Sequence, residues 1–397
     1  MNDQNYIYLD NAATTPMDPV VIKEINHHYK MTYGNASSLH KKGIEAHQVL
    51  ESSREKIASI INAAPEDIIF TSSGTESDNL AIKGVARKNK DKGNHIITSS
   101  IEHHAVENPC KELEKEGFEV TFLPVNEYGR IDLEILQNAI KDSTILISIM
   151  FANNEIGTIQ PIEEIGQLAK DHDIIFHTDA VQAFGKVPID VEKMSVDLLS
   201  ASAHKIYGPK GVGMLYTRNK GSRKGWGKCI EPILHGGGHE QNLRPSTENV
   251  PGIAGFAKAA ELAQNEIKSE SKRESKLRDR IIEDVLKIIA DTKLNGHPTM
   301  RLPNNVNLAF KYIEGESIVL SLDLEGIATS TGSACSSKSL EPSHVLKAID
   351  LPREFMQGSL RVSLGRFTTE DHINYFLEKL PPIIEKLRKM SPLKNPT

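Results

Sequence analysis

Along the first half of the chain, hydrophobic residues follow two alternating patterns. Stretches with apolar residues three and four positions apart, such as residues 45–61 and 73–90, predict amphipathic helices. Between them lie short apolar runs, which predict buried strands at residues 67–71, 95–98, 144–151, 173–177, 197–200 and 212–216. Strands separated by helices predict an α/β fold with a mainly parallel sheet between helices. The last strand is expected to be antiparallel, because the connection before it is short.

The pattern changes near residue 252. Residues 254–290 have the spacing of one long helix, interrupted by a charge-dense stretch that we interpret as a solvated face. After it come strand-like residues 305–310 and 359–364, and helical residues 317–324 and 369–389. Pro381 and Pro382 are expected to break or kink the last helix. These elements predict a second, smaller α+β domain joined through the long helix.

Composition narrows the classes of protein that need consideration. The 397 residues carry a formal charge of −6, which argues against a broad surface for nucleic acid or anionic membranes. No uncharged apolar run approaches the roughly 20 residues of a membrane-spanning helix, and no signal peptide is visible. We therefore expect a cytoplasmic protein that binds neither nucleic acid nor membranes.

The three cysteines, Cys110, Cys229 and Cys335, are too few and too scattered for a disulfide framework or a zinc knuckle. Cys110 has a helical context and is expected to pack in the core, whereas Cys229 is expected to be exposed. The histidine pairs 27–28 and 103–104 lack the His-x-x-x-His spacing of a metal site, so no metal is expected.

Three predicted strands end in polar residues that could carry chemistry. Residues 71–77 (TSSGTES) lead into a helix and could bind a phosphate, or could form an ordinary N-cap. Asp179 follows a buried strand, where a carboxylate could pair with a cationic ring nitrogen, bind a metal or cap a helix. Lys205 follows another strand, and a partly desolvated amine there is suited to forming imines with carbonyl compounds.

Together these three features match the requirements of pyridoxal 5′-phosphate. A lysine holds the aldehyde of this cofactor as an imine, and an aspartate keeps its pyridine nitrogen protonated. A helix N-terminus anchors its phosphate. Each feature is weak evidence alone, but the carboxyl ends of parallel strands meet at one edge of a sheet, which would bring all three together.

At this point the sequence resembles the cysteine desulfurases of iron–sulfur cluster assembly, which are class V aminotransferase-like, fold-type I pyridoxal-phosphate enzymes. The resemblance runs from residues 8–16 (YLDNAATTP) to 361–367 (RVSLGRF), and includes NASSLH at 35–40, NNEIG at 153–157, SAHK at 202–205 and TGSAC at 331–335. It implies a large cofactor-binding domain at residues 15–255, with a mainly parallel sheet of the seven-stranded type. Residues 1–14 and 256–397 would form the small domain.

The resemblance also implies roles for individual residues. Lys205 would hold the cofactor and move the α-proton of the substrate, and His103 would stack on the pyridine ring and help to manage thiol protons. Cys335 would accept the sulfur as a persulfide. Asp179 would contact the pyridine nitrogen, Gln182 the phenolic oxygen, and Asn154 the cofactor. The phosphate would be held by Gly74, Thr75, Ser202 and His204, and by Thr247 of the opposite subunit. Asn154 and Arg361 would bind the substrate carboxylate.

The predicted function is conversion of L-cysteine to L-alanine, with the sulfur passed to Cys335 and then to an iron–sulfur scaffold or another acceptor protein. Small polar neighbours suggest that Cys335 lies in a mobile, exposed loop at about residues 329–340. The Thr247 contact implies a homodimer with composite active sites. The alternatives are a selenocysteine lyase, an aminotransferase, or a sulfur-relay scaffold without catalysis.

Overall fold

The computed structural model describes residues 6–218, 229–332 and 342–391. Within these ranges the chain alternates between helices and strands. The helices are α1 (Pro19–Met31), α2 (Lys41–Ile60), α3 (Gly74–Lys88), α4 (His104–Lys115), α5 (Leu133–Ala139), α6 (Ile162–Asp171), α7 (Val250–Ile288), α8 (Gly315–Leu324), α9 (His344–Ala348), α10 (Arg353–Met356) and α11 (Glu370–Met390). The strands are β1 (Ile7–Tyr8), β2 (Ile68–Thr71), β3 (His95–Ser99), β4 (Glu119–Leu123), β5 (Thr144–Ser148), β6 (Ile175–Asp179), β7 (Leu198–Ser202), β8 (Gly213–Thr217), β9 (Thr292–Leu294), β10 (Asn305–Phe310), β11 (Ile327–Ala328) and β12 (Ser359–Ser363).

A seven-stranded sheet forms the centre of the larger part, in the order β2-β8-β7-β6-β5-β3-β4. Strand β8 is antiparallel to both of its neighbours, as predicted, while β7, β6, β5, β3 and β4 pair in parallel. Strands β5, β6 and β7 are buried along their whole length, which explains why they read as continuous apolar runs. Their carboxyl ends therefore open on one edge of the sheet.

Helices cover both faces of this sheet. One face packs against α2, α6 and the first half of α7, in a core that includes Ile57, Ile165 and Phe256. The other face packs against α3 and α4, through residues such as Leu80 and Leu113. The mixed helix-and-sheet architecture agrees with the predicted α/β class.

A second core lies around β10 and β12, which form a three-stranded antiparallel sheet with β9. Helix α8, α11 and the second half of α7 pack on it, through residues such as Ile318, Phe376 and Ile281. Strand β1 pairs in parallel with β11, so the beginning of the described chain joins this part. The division into domains at residues 14/15 and 255/256 stays a prediction.

Two expectations about local structure are wrong. Helix α11 does not break at Pro381 and Pro382 but continues to Met390, because its buried face, including Leu380 and Ile384 on either side of the prolines, keeps it packed on the second core. A kink at the prolines stays a prediction. Cys229 is buried rather than exposed, and it packs in the same core as Cys110. Asn89 fixes the backbone there by donating a hydrogen bond from Nδ2 to the Cys229 carbonyl, 2.8 Å away.

Strand β4 is absent from the elements predicted by the sequence pattern. It lies at the edge of the seven-stranded sheet and is only partly buried, so it lacks the continuous apolar run of the central strands. None of the helices described is both long enough and apolar enough to cross a membrane.

Candidate active site

A cavity of about 300 Å³ opens at the carboxyl edge of the seven-stranded sheet. Its lining includes most of the residues predicted from the sequence: Gly74, Thr75, His103, Asn154, Asp179, Gln182, Ser202, His204, Lys205 and Arg361. Thr247 is exposed and lies outside this lining. Cys335 lies outside the described residues, as does most of the predicted loop at residues 329–340. The structure thus gathers predicted side chains that are up to 287 positions apart in the sequence, Gly74 and Arg361 being the extremes.

Lys205 ends a short 3₁₀ turn that directly follows β7. Its Nζ donates hydrogen bonds to the carbonyl oxygens of Ala12 and Ala13, at 2.7 and 2.8 Å. These contacts hold the half-buried amine at the cavity wall, at the end of the SAHK motif. The geometry places a primary amine at a fixed position and within reach of a bound carbonyl compound.

Asp179 is the last residue of β6 and is buried. Its Oδ1 accepts a hydrogen bond from the Val181 N–H at 2.9 Å. Burial raises its pKa to about 6, although this hydrogen bond and the nearby Lys205 ammonium both favour the ionised form. A second buried carboxyl, Asp78, lies in the same wall, and burial together with Asp179 raises its pKa as well. Positive charge from the described residues therefore does not fully offset these two buried carboxyl groups.

His177 is buried in β6, two residues before Asp179. Its two ring nitrogens contact the hydroxyl oxygens of Ser148 and Ser200, at 2.9 and 3.0 Å. Asp78 Oδ1 is 3.6 Å from His177 Nε2, but burial lowers the pKa of His177 to about 3 and raises that of Asp78. His177 is therefore uncharged at neutral pH, and its contact with Asp78 is not an ion pair.

The buried neutral His177 should make the protein less stable in acid. The unfolded chain binds a proton near pH 6.5 that the folded protein accepts only near pH 3, so stability falls as the pH drops below 6.5. When the pH is lowered from 7.5 to 5, the unfolding free energy of His177→Asn should rise by about 2 kcal/mol relative to that of the wild type, because the variant has no histidine here to bind the proton. Urea unfolding at both pH values measures this difference in unfolding free energy. His172→Asn, at an exposed position, serves as the control. A difference between His177→Asn and the wild type that is the same at both pH values would contradict the prediction.

The amino end of α3 forms another side of the cavity. Ser73 caps the helix through a hydrogen bond from the Glu76 N–H to Ser73 Oγ, at 3.1 Å. The N–H groups of Gly74 and Thr75 fall in the first turn, where a helix has no internal acceptor for them and carries a partial positive charge. Gly74 is required here because an added Cβ would lie 2.5 Å from Val181 Cγ2. Both interpretations of the sequence, an N-cap and an anion-binding end, are compatible with this geometry.

Ser202 and His204 flank the same end of the cavity. The buried Ser202 Oγ has no hydrogen-bond partner among the described residues. His204 Nδ1 contacts Thr14 Oγ1 at 3.0 Å, and burial, with Lys205 nearby, lowers the pKa of this histidine to about 4. A buried hydroxyl without a partner is unfavourable, and an anion at the helix terminus would give it an acceptor.

His103 occupies the N-cap position of α4. Its Nδ1 accepts a hydrogen bond from the Ala105 N–H at 3.1 Å, so the proton of the neutral ring is on Nε2. Burial and the neighbouring Lys205 lower the pKa of His103 to about 4. The ring is therefore uncharged at neutral pH.

Arg361 lies in β12 and reaches the cavity from the second core. Its Nη2 donates to Asp10 Oδ1 at 2.8 Å, and its Nη1 donates to the Asn154 carbonyl at 3.0 Å. Its buried Nε has no partner among the described residues. Asp10 therefore fixes the guanidinium and leaves part of its donor capacity available to an anionic ligand.

Several residues of the cavity region are not among the predicted site residues. Asp10 belongs to the YLDNAATTP motif, but its ion pair with Arg361 joins positions 351 residues apart, which no local pattern could indicate. Asp78 reads as an ordinary polar position within α3. Met150, Ala152, Glu155, His104 and His344 also contribute to the lining.

Comparison with known proteins agrees with this geometry. The aminotransferase class V family model matches residues 7–376. A cysteine desulfurase IscS from Methanosarcina thermophila is 56% identical over 387 residues, covering 98% of this chain and 94% of the relative. The solved structure of a NifS-like protein superposes with a TM-score of 0.89 at 39% identity, covering 96% of this chain and 100% of that one. The structure titled SspA in complex with cysteine has a TM-score of 0.80 at 37% identity, covering 91% and 100% respectively.

The chain therefore belongs to the class V aminotransferase family of pyridoxal-phosphate enzymes. Within that family it is similar, over nearly its whole length, to proteins named cysteine desulfurase IscS. The family and the fold class predicted from the sequence motifs are both confirmed.

Proposed function

We propose that this protein removes sulfur from L-cysteine, giving L-alanine and a persulfide on Cys335 that supplies iron–sulfur cluster assembly. One observation carries the proposal: the amine of Lys205, the buried carboxyl of Asp179 and the guanidinium of Arg361 line a single cavity. These are the groups needed to hold the cofactor, keep its ring electron-accepting and bind an amino-acid carboxylate. The relatives named cysteine desulfurase, and the solved relative whose title records bound cysteine, support the choice of substrate.

The cavity residues fit pyridoxal phosphate. The phosphate would be received by the first turn of α3 and by Ser202 Oγ, which has no hydrogen-bond partner among the described residues. A protonated pyridine nitrogen would supply the positive charge missing beside Asp179 and Asp78, and would favour ionised Asp179. Gly74, Thr75, His204, Gln182, Asn154 and His103 complete the proposed cofactor contacts. When bound, the cofactor supplies an aldehyde for an amine and a ring that accepts electrons from the α-carbon.

The protein groups then divide the work. Lys205 Nζ holds the cofactor between turnovers and, once displaced by the substrate amine, takes the α-proton. Arg361, held by Asp10, orients the substrate carboxylate together with Asn154. His103 is neutral with its proton on Nε2, and its Nδ1 lone pair accepts the Ala105 hydrogen bond. To take a proton from a thiol, the ring must therefore give up that hydrogen bond.

Cys335 is proposed as the acceptor of the sulfur. Its thiolate attacks the sulfur of the bound cysteine, a new S–S bond forms and the C–S bond breaks, leaving alanine after protonation. The persulfide can then pass its outer sulfur to an acceptor protein by thiol exchange. We further propose a homodimer in which the exposed Thr247 reaches the phosphate of the opposite subunit.

Alanine formation tests the function. Purified protein with bound cofactor should release alanine from L-cysteine, and more alanine when a reducing thiol removes the persulfide between turnovers. Parallel assays with L-selenocysteine separate the alternative, because a selenocysteine lyase would release alanine from selenocysteine alone. Absence of alanine from both substrates would refute the proposed function.

Arg361→Lys should weaken substrate binding. Lysine keeps the positive charge but loses the planar fork that holds Asp10 and the Asn154 carbonyl while contacting a carboxylate. We expect kcat/KM for L-cysteine to fall about 10- to 100-fold, mainly through KM, which corresponds to one or two charge-assisted hydrogen bonds. Steady-state kinetics provide the measurement, with the exposed Arg353→Lys on α10 as control. An unchanged KM for Arg361→Lys would contradict this role.

A further inference from the structure

Three potential metal ligands lie close together beside the cavity: His104, Glu107 and His344. His104 and His344 belong to its lining, whereas Glu107 does not. His104 and Glu107 lie one turn apart on α4, and His344 begins α9. Their ligand atoms all lie within 4.8 Å of one another. His104 Nδ1 is 2.8 Å from Glu107 Oε2, and the rings of His104 and His344 are tilted by 34° with centroids 5.1 Å apart. No role in the proposed reaction uses these three side chains.

His344 is oriented in the way that metal-binding histidines usually are. Its Nε2 donates to the carbonyl oxygen of Glu102 at 2.8 Å, which leaves the lone pair of the neutral ring on Nδ1. A hydrogen bond from one ring nitrogen to a backbone carbonyl commonly fixes the other nitrogen for a metal. The position of α9 is itself fixed, because Ser343 caps it and donates to Glu155 Oε2 at 2.7 Å.

Glu107 can supply the anionic ligand. Its Oε1 accepts a hydrogen bond from Lys111 Nζ, and its Oε2 lies 2.8 Å from His104 Nδ1, so one carboxylate oxygen already faces the two imidazoles. Lys111 is more than half exposed, so releasing its ammonium to water costs little. A cation would take the place of the hydrogen bond between His104 Nδ1 and Glu107 Oε2.

From this arrangement we propose that His104, Glu107 and His344 form a site for a borderline divalent transition metal such as Zn²⁺, bridging α4 and α9. Two imidazoles and one carboxylate are a ligand set that Zn²⁺ and its neighbours accept, with a fourth position left for water. Ligand atoms around tetrahedral zinc lie about 3.4 Å apart, so no separation in this cluster would have to shorten by more than about 1.4 Å. The cation would cross-link α4 to α9 beside the cavity.

The sequence pattern does not reveal this site because its third ligand is distant along the chain. His104 and Glu107 alone have i, i+3 spacing, which is common on helix surfaces and specifies no metal. His344 is added only by the tertiary structure, through its ring contact with His104 and its hydrogen bond to the Glu102 carbonyl. The inference concerns a binding site and does not depend on the proposed desulfurase reaction.

Cobalt titration of the cofactor-loaded protein tests the proposal. Co²⁺ gives visible d–d absorption whose intensity reports four- or five-coordinate geometry, and Zn²⁺ should displace it. All proteins should carry Cys335→Ser, so that this thiol does not bind the metal. We expect one Co²⁺ per chain, at least about tenfold weaker binding in both His344→Asn and Glu107→Gln, and no change in His172→Asn, an exposed histidine elsewhere.

Thermal unfolding gives a second readout. Zn²⁺ should raise the unfolding midpoint of the parent and of His172→Asn, but not that of His344→Asn or Glu107→Gln, because a metal bound only by the folded state stabilises it. Failure of Co²⁺ to bind the parent would overturn the proposal. Equal binding by the parent and both ligand variants, with cofactor absorbance confirming that each is folded, would overturn it too.

Discussion

Lys205→Ala should lower alanine formation from L-cysteine by about 10,000-fold, the upper part of the range for a positioned acid–base group. The variant lacks both the amine that holds the cofactor and the base that takes the α-proton, and no other described amine contacts the Ala12 and Ala13 carbonyls as Lys205 does. Because the cofactor is no longer linked to a lysine, the variant should also lose the absorbance of the lysine-bound cofactor, and dialysis should remove the cofactor more readily. The measurements are kcat and the visible spectrum before and after dialysis.

Lys210→Ala is the matched control for this experiment. Lys210 follows five residues later, is exposed and lies outside the cavity lining. Its spectrum and kcat should equal those of the wild type. Retention of lysine-bound cofactor absorbance in Lys205→Ala would show that another amine holds the cofactor.

Asp179→Asn should lower kcat by on the order of 100- to 1,000-fold while leaving the cofactor bound. Asparagine keeps the shape of the side chain but removes the charge that would pair with a ring nitrogen, and breaking such a buried pair costs about 3–5 kcal/mol. Lys205, Ser202 and the first turn of α3 stay in place, so cofactor content should change little. The assay compares kcat with cofactor content per chain.

For Asp179→Asn the control is Asp171→Asn, at an exposed position at the end of α6. This control should have wild-type kcat. Equal activity of Asp179→Asn and the wild type would mean that the ring nitrogen does not depend on this carboxylate, and the assignment of Asp179 would fail.

Local pattern is sufficient to predict most of the main sheet. Strands β5, β6 and β7 are buried on both faces, so their apolar runs are visible in the sequence. Parallel strands present their carboxyl ends at one edge of a sheet, and this rule alone predicts that Asp179 and Lys205 lie close together. Both residues do line the same cavity. Edge strand β4 is not predicted, because its partial exposure gives a mixed pattern of polar and apolar residues.

Long-range pairing cannot be predicted in the same way. The ion pair between Asp10 and Arg361 depends on β1 joining the second core and on β12 pairing with β10. Burial of Cys229 likewise depends on packing against α3, whereas the polar stretch before it suggests the opposite. Continuation of α11 through Pro381 and Pro382 shows tertiary packing overriding a local helix-breaking preference.

Transfer of sulfur from L-cysteine to Cys335 can be followed by mass spectrometry. The cofactor-loaded protein is incubated with L-cysteine, alkylated and digested, and alanine is measured in parallel. We expect one alanine per chain in the first turnover, and the mass of one additional sulfur on the peptide containing Cys335, with none on peptides containing the buried Cys110 or Cys229. In Cys335→Ser, neither alanine nor persulfide should form while the cofactor absorbance is retained. Alanine formation at the wild-type rate in that variant, or a persulfide on another cysteine, would refute the role of Cys335 as sulfur acceptor.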